Sequence, residues 1–345
     1  MTKNNCKNSL THQRNNLLRK SIAQCGGNLH IQLKTMISVA KFKSFIEVLD
    51  YFKDEEFCKK YVEQQRWKGT ITCPHCGNTH NIGITKRGYK CYNPECLKKF
   101  SVLVGTVMED TKIKLRYWFA AFYILSSEKR GKSSYQLAKD LGLTQKSAWH
   151  LSHRIRKMLE QRAPEKIKLL AQSDETFVGG KNKNRHKDKK VKNSQGRSFK
   201  DKTPVLGILE PGEVSQIRTI AIPDTSAATL QPLLEANIEK GAILMTDEWT
   251  GYCNAHTAFD HKFVDHSAKQ YVDGNVSCNG VENFWSHFKR GINGIYYHVS
   301  RKHLQRYCDE YSYRFNSRDL TSCERFEHIM GKVEGRLTWK TLVHG

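Results

Sequence analysis

Between residues 73 and 96 lie two cysteine pairs, "CPHCG" and "CYNPEC", spaced C-x2-C and C-x4-C with 14 residues between them. No other feature constrains the fold as strongly. Two tight loops that each present two thiolates make the four-coordinate tetrahedral set of a structural zinc site. Cys73, Cys76, Cys91 and Cys96 are therefore expected to hold zinc, which would rigidify a segment too small to build its own core. Four thiolates leave no open coordination position, so a catalytic zinc is not expected. The competing reading, unrelated buried thiols or a redox pair, fits two paired knuckles poorly. The other cysteines of the 11 show no ligand spacing. No signal-like apolar stretch opens the chain, so they read as reduced thiols.

Charge narrows the partners. Lys and Arg number 57 against 34 Asp and Glu, a formal net charge of +23. Such an excess favours a polyanion. No apolar run approaches the ~20 residues that span a bilayer, and no stretch reads as a membrane-surface helix. DNA is the expected partner and a membrane is not.

At 345 residues the chain suits about two domains. Residues 1–35 contain no acid and no core pattern, and read as a disordered basic arm. Residues 36–105 read as a helix followed by the zinc ribbon, and 106–163 as a helical region. Within it, 134–141 and 144–158 are two helical patterns parted by Gly142, the layout of a helix-turn-helix. The second carries Gln145, Lys146, Ser147, His150, Arg154 and Lys157. Such a helix would set its first turn on base edges and its basic end near phosphates. An ordinary helix pair with a solvated face has the same pattern; beside a ribbon and this charge, DNA binding is favoured. Pro164 marks a boundary. Residues 164–320 then alternate short strands with helices as a mixed α/β domain, and 321–345 read as a C-terminal tail. The lysine-rich loop 181–202 reads equally as a solvated loop or a phosphate contact.

Three acids stand out in the α/β region. Asp174 follows "IKLLAQS" and Asp247 follows "AILMT", both apolar strand patterns. Glu282 lies on a helix whose Val281, Phe284, Trp285, Phe288 and Ile292 share one arc. Taken singly, an Asp at a strand end is an ordinary cap or turn residue. Together, two acids from neighbouring strands and a third from a helix packed on the sheet can converge. Carboxylates in one pocket repel, so such a pocket takes up divalent cations. Oxygen ligands favour Mg²⁺ or Mn²⁺, and a pair of these ions activates water or a 3′-hydroxyl against a phosphodiester. Lys289, two turns beyond Glu282, would offer a point charge to phosphate.

These residues sit in longer motifs. "RWKGTITCPHCG", "LGLTQKSAWHLSHRIRKML", "DETFVGGK", "TDEWTGY" and "NGVENFWSHFKRGINGIYYHVSRKHLQRYCDEYSYRFNSR" resemble bacterial insertion-sequence transposases of the DDE type, in the zinc-ribbon group allied to Merlin elements. The resemblance runs from about residue 42 to 320. It implies an RNase H-like catalytic domain preceded by a zinc ribbon and a helix-turn-helix. It further implies action on terminal inverted repeats and target DNA, as a homo-oligomer on DNA in the cytoplasm at the nucleoid. It assigns Asp174, Asp247 and Glu282 as ligands of Mg²⁺ or Mn²⁺, and Lys289 as a DNA-contacting residue. Some relatives use Asn as the third ligand, and Asn279 lies one turn before Glu282. The rival readings are a non-catalytic DNA-binding regulator and a nuclease that cleaves without joining.

Overall fold

The computed structural model describes residues 42–344, apart from 162–163, 181–185, 193–197, 199–200 and 265–278. The arm expected over 1–35 and much of the lysine-rich loop lie outside the described residues.

The first described elements are helices α1 (Phe45–Tyr51) and α2 (Glu55–Trp67). Both begin on side-chain caps: Ser44 accepts from the Glu47 N–H, and Asp54 from the Phe57 N–H. An acid at the cap also complements the positive end of the helix dipole. The ribbon follows as three short antiparallel strands, β1 (Ile82–Thr85), β2 (Gly88–Cys91) and β3 (Lys99–Phe100). It docks on α2 through Trp67, whose ring meets Tyr89 and Phe100 edge-on. The Tyr89 hydroxyl donates to Glu63.

Helix α3 (Leu115–Ser127) is apolar nearly all round because it is buried nearly all round. Phe119 stacks on Phe52 of the α1–α2 link at 4.2 Å, and Phe326 joins the same cluster. Phe326 comes from the far end of the chain. The segment 321–345, expected to be a tail, instead forms α9 (Ser322–Met330) and α10 (Trp339–His344). A capping box between Thr321 and Glu324 starts α9. Tyr61 donates to Glu327, and Arg66 binds Glu334. The core thus runs across residue 105 and closes on the C-terminus, without a break between ribbon and helical region.

Helices α4 (Ser134–Leu141) and α5 (Gln145–Met158) are joined through Gly142, whose φ of 63° ends α4 in the left-handed conformation that glycine adopts without strain. Thr144 then caps α5.

The α/β region contains a five-stranded sheet in the order β6–β5–β4–β7–β8. Its strands are β4 (Leu170–Val178), β5 (Thr203–Glu210), β6 (Gln216–Ala221), β7 (Ile243–Asp247) and β8 (Asp260–Val264). β4, β5 and β6 run antiparallel, whereas β7 and β8 are parallel to β4. Both faces are covered, so β5 reads as an unbroken apolar run. Its Leu206 and Ile208 pack with α6 (Ala227–Asn237) on one face. Its Val205 and Leu209 pack on the other, with α7 (Asn279–Gly291) and α8 (Arg301–Asn316).

Helix α5 is tied to α8 by a buried ion cluster. Glu310, 1% exposed, pairs with Arg156 and Arg314 at 2.5 Å each and accepts from the Tyr296 hydroxyl at 2.7 Å. Burial alone would raise the Glu310 carboxyl, but Arg156 and then Arg314 hold it down at about 2, below its ordinary 4.5. The stabilisation is therefore complete above pH 4.5 and is lost as pH falls towards 2. Glu310→Ala would leave two guanidiniums buried without their anion. Urea unfolding at pH 7 should show a loss of about 3–5 kcal/mol; a loss below about 1 kcal/mol would contradict this reading.

Candidate metal centre and acidic site

The four sequence-nominated cysteines come together. Their sulfur atoms all lie within 4.8 Å of one another, with Cys73 to Cys96 at 3.8 Å and Cys76 to Cys91 at 3.7 Å. A disulfide would need ~2.05 Å, and all four are free thiols. Zinc–sulfur bonds of ~2.3 Å in a tetrahedron set sulfurs about 3.8 Å apart, so this set fits zinc. Backbone turns shape both knuckles: the Gly77 N–H donates to Cys73 O, and the Cys96 N–H to Asn93 O.

The acids are placed by the sheet. Asp174 lies inside β4 and not at its end; Asp247 is the last residue of β7. The parallel ladder pairs Leu170 with Ile243, Ala171 with Leu244 and Gln172 with Met245. Two residues further along the same register, Asp174 is level with Asp247. In-register residues of parallel neighbours point to the same face.

Helix α7 covers that face. Its Val281, Phe284, Trp285 and Phe288 are buried, as the apolar arc predicts, while Glu282, Ser286 and Lys289 are exposed. The helix comes close because two glycines permit it. A Cβ on Gly207, the β5 partner of Asp174, would lie 2.5 Å from the Trp285 ring. A Cβ on Gly280 would lie 2.6 Å from Gln172 Oε1.

The electrostatics report the convergence. Burial pushes the Asp174 carboxyl up to about 6, and the charges of Asp247 and Glu282 push the same way. The Glu175 N–H, which donates to Asp174 at 2.8 Å, and the Lys289 ammonium act in the opposite sense. Asp247, Glu282 and Lys289 thus lie within electrostatic reach of Asp174, whereas among the described residues the group close enough to hold a metal ion is that of the four cysteines. The Asp247 carboxylate accepts from the Trp249 N–H at 3.1 Å. Asn279 opens α7 and is exposed.

A brace that the sequence reading missed lies on the opposite face of β4. Tyr252, fully buried, follows β7 and donates to Glu175; its hydroxyl is 3.1 Å from Ser173 Oγ. It ties the segment after Asp247 to the strand that carries Asp174. A tyrosine five residues after Asp247 carries no spacing signal for this role.

The α5 residues divide. Lys146 is exposed, its ammonium 4.7 Å from the Trp339 ring, and Gln145 and Ser147 are half-buried in the first turn. Gln145 donates to Ser134. His150 is half-buried against Trp339 of α10. Arg154 corrects the expectation of a phosphate contact. It is 6% exposed, stacks on Trp118 and donates to the Glu109 carbonyl. Lys157 is half-buried and paired with Glu160. Arg154 and Arg156 thus face inward, Lys157 is held by Glu160 at a partly exposed position, and the first turn with Lys146 meets solvent.

Comparison with known proteins agrees with this layout. The ISXO2-like transposase domain family matches residues 170–316, and the transposase zinc-ribbon domain family matches residues 53–99. Together these matches span more than half of the chain, which belongs to the IS1595 family of insertion-sequence transposases. An uncharacterized protein in transposable element ISH50 of Halobacterium salinarum is 24% identical over 254 residues, 70% of this chain and 84% of its own. An uncharacterized transposase-like protein of Haemophilus influenzae is 29% identical over 111 residues, 31% of this chain and 86% of its own. Among the described residues, no helix is long and apolar enough to cross a membrane.

Two outcomes follow. Replacing Cys73 and Cys76 by Ser should abolish retention of about one zinc per chain by metal analysis and lower the melting temperature; a well-folded, zinc-free wild type would contradict it. The second concerns Asp174, whose raised pKa means that its charge costs stability above its ordinary 3.8, and fully above about 6. Asp174→Asn should therefore raise the melting temperature of zinc-loaded protein without other divalent ions at pH 8, and barely at pH 4. Equal melting temperatures at pH 8 would refute it.

Proposed function

We propose that the protein is a DNA transposase that binds the terminal inverted repeats of its element, hydrolyses the phosphodiester at each end and joins the freed 3′-hydroxyl to target DNA. What supports this reading most is the parallel β4–β7 register, which continued by two residues sets Asp174 beside Asp247 on the face covered by the helix of Glu282 and Lys289, within a transposase-family domain. The sheet supports an RNase H-like fold: three antiparallel strands continue into two strands parallel to the first.

Asp174, Asp247 and Glu282 would hold Mg²⁺ or Mn²⁺. The fit is chemical: three carboxylate donors, hard oxygen ligands suited to these ions, and a buried face with spare acceptors. On the Asp174 side of β4, Gln172 Oε1 and Thr176 Oγ1 are buried without a hydrogen-bond partner, as in a site completed by a cation and its waters. Bound there, two such ions would activate the attacking oxygen and stabilise the leaving one. Lys289 would position a phosphate beside the acids. Hydrolysis breaks the P–O3′ bond and leaves a 3′-hydroxyl. In joining, that oxygen forms the new P–O bond as the target's own 3′-oxygen leaves.

The ribbon and the start of α5, with Gln145, Lys146 and Ser147, would contact the repeat as a helix-turn-helix reader. The protein would work as a homo-oligomer on DNA, in the cytoplasm at the nucleoid.

The test uses a labelled element end and a target plasmid. Glu282→Gln, Asp174→Asn and Asp247→Asn should each keep DNA binding and lower cleavage and joining by orders of magnitude. Combining them should cost little more, because members of one catalytic unit are non-additive. Lys289→Ala should be milder. Full joining in Glu282→Gln with loss in Asn279→Ala would move the third ligand to Asn279. Cleavage without joining would identify a nuclease, and full repeat-dependent function in all three acid variants a DNA-binding regulator.

A further inference from the structure

The exposed face of α7 starts at Glu282 and runs through Ser286, Lys289 and Arg290 to Asn293. The helix then loosens into a π-helical turn, Ile292–Tyr296, and that turn ends on Tyr297. Two observations set Tyr297 apart. Its backbone has φ 59° and ψ −52°, a region that a bulky residue enters only where its surroundings impose it. Its side chain is 81% exposed, so burial does not compensate for that strain.

The neighbours supply the constraint. The Tyr296 hydroxyl donates to Glu310 of the buried ion cluster, and its ring packs on Tyr307 at 4.7 Å. The Tyr296 carbonyl accepts from the His298 N–H, and Val299 packs into the core under α7 and α8. Anchored on both sides, the intervening tyrosine is held out into solvent. The loop that abuts this turn is basic. Gly131 lies against the Tyr296 hydroxyl, the Arg130 carbonyl accepts from Tyr311, and Lys129 and Arg130 are exposed. The result is an exposed ring on a backbone pinned at both sides, beyond the end of a helix face that carries Lys289 and Arg290, with the basic loop against the neighbouring Tyr296. Exposed rings near cations hold unpaired bases by stacking while the cations hold the backbone.

We propose that Tyr297 is a stacking platform for an unpaired base of the DNA strand whose phosphates follow the exposed face of α7. The proposal rests on the reading of the carboxylates as the strand-cleaving site. It deepens that reading by assigning the protein a contact with single-stranded DNA. Fifteen residues separate Tyr297 from Glu282; at ~1.5 Å per residue the platform lies roughly 20 Å along the helix, several nucleotides from the scissile phosphate.

The experiment uses full-length, zinc-loaded protein without added Mg²⁺ or Mn²⁺, so that only binding is read. The probes are mixed-sequence single-stranded oligonucleotides with 2-aminopurine scanned along the strand, and the same strands fully paired. Wild type should quench the single-stranded probe at one or two positions and leave the duplex unquenched. Tyr297→Trp and Tyr297→Phe should keep the quench. Tyr297→Ala and Tyr297→Gly should lose it and bind about 10-fold more weakly, as expected for one lost stacking contact. The glycine variant accepts φ 59° without strain, so its melting temperature should hold or rise, which separates lost stacking from lost folding. Asp174→Asn should quench like wild type, so a failure of the catalytic reading would leave this readout untouched. Unchanged quenching in Tyr297→Gly, no quenching in wild type, or equal quenching of the duplex would each overturn the proposal.

Discussion

Asp174, a carboxylate set inside β4 and raised by burial and by the charges of Asp247 and Glu282, is the constraint that the packing of the α/β region has to meet. The arrangement costs stability and must be imposed by packing. Two parallel strands in one register set Asp174 and Asp247 at one level. Helix α7 brings Glu282 because its apolar side is locked to the sheet, with Trp285 seated on Gly207 beside Asp174. Apolar contacts thus supply the free energy that the acids cost.

The second dependence is between halves of the chain. Arg156 reaches from α5 to Glu310 on α8, while Tyr296, at the end of the turn after α7, hydrogen-bonds to that same carboxylate. One buried acid therefore anchors the proposed DNA-reading helix, the C-terminal helix of the sheet's α7–α8 face and the turn beyond Lys289. The cost of burying three charges here exceeds that of an apolar cluster, but directional ion pairs fix orientation in a way that greasy contacts do not.

Local signals were legible and distant partners were not. Cysteine spacing encodes zinc chemistry directly, and all four thiols converge. The apolar arc of residues 281–292 identified the buried side of α7, so Glu282 and Lys289 fell correctly on its edge. The alternation of strands and helix in 164–320 was readable because each buried strand is short and bounded by turns. Arg154 was misjudged because an arginine written on a helix looks the same whether its partner is phosphate or a carbonyl 45 residues away. The segment 321–345 was misread for a related reason: α9 and α10, nine and six residues long, are too short for a helical period to stand out. Their folding depends on contacts such as Tyr61 with Glu327, 266 residues apart, which no local pattern reveals. Tyr252 likewise acts through tertiary geometry alone.

The central claim is that Asp174, Asp247 and Glu282 together bind a divalent cation. Electron paramagnetic resonance of Mn²⁺ titrated into zinc-loaded protein, at neutral pH with an element-end duplex present, tests it most directly. The proposal requires bound Mn²⁺ that Mg²⁺ displaces, and its loss when Asp174→Asn and Asp247→Asn are combined while zinc is retained. Equal Mn²⁺ binding by wild type and the double variant, or none by either, would contradict it.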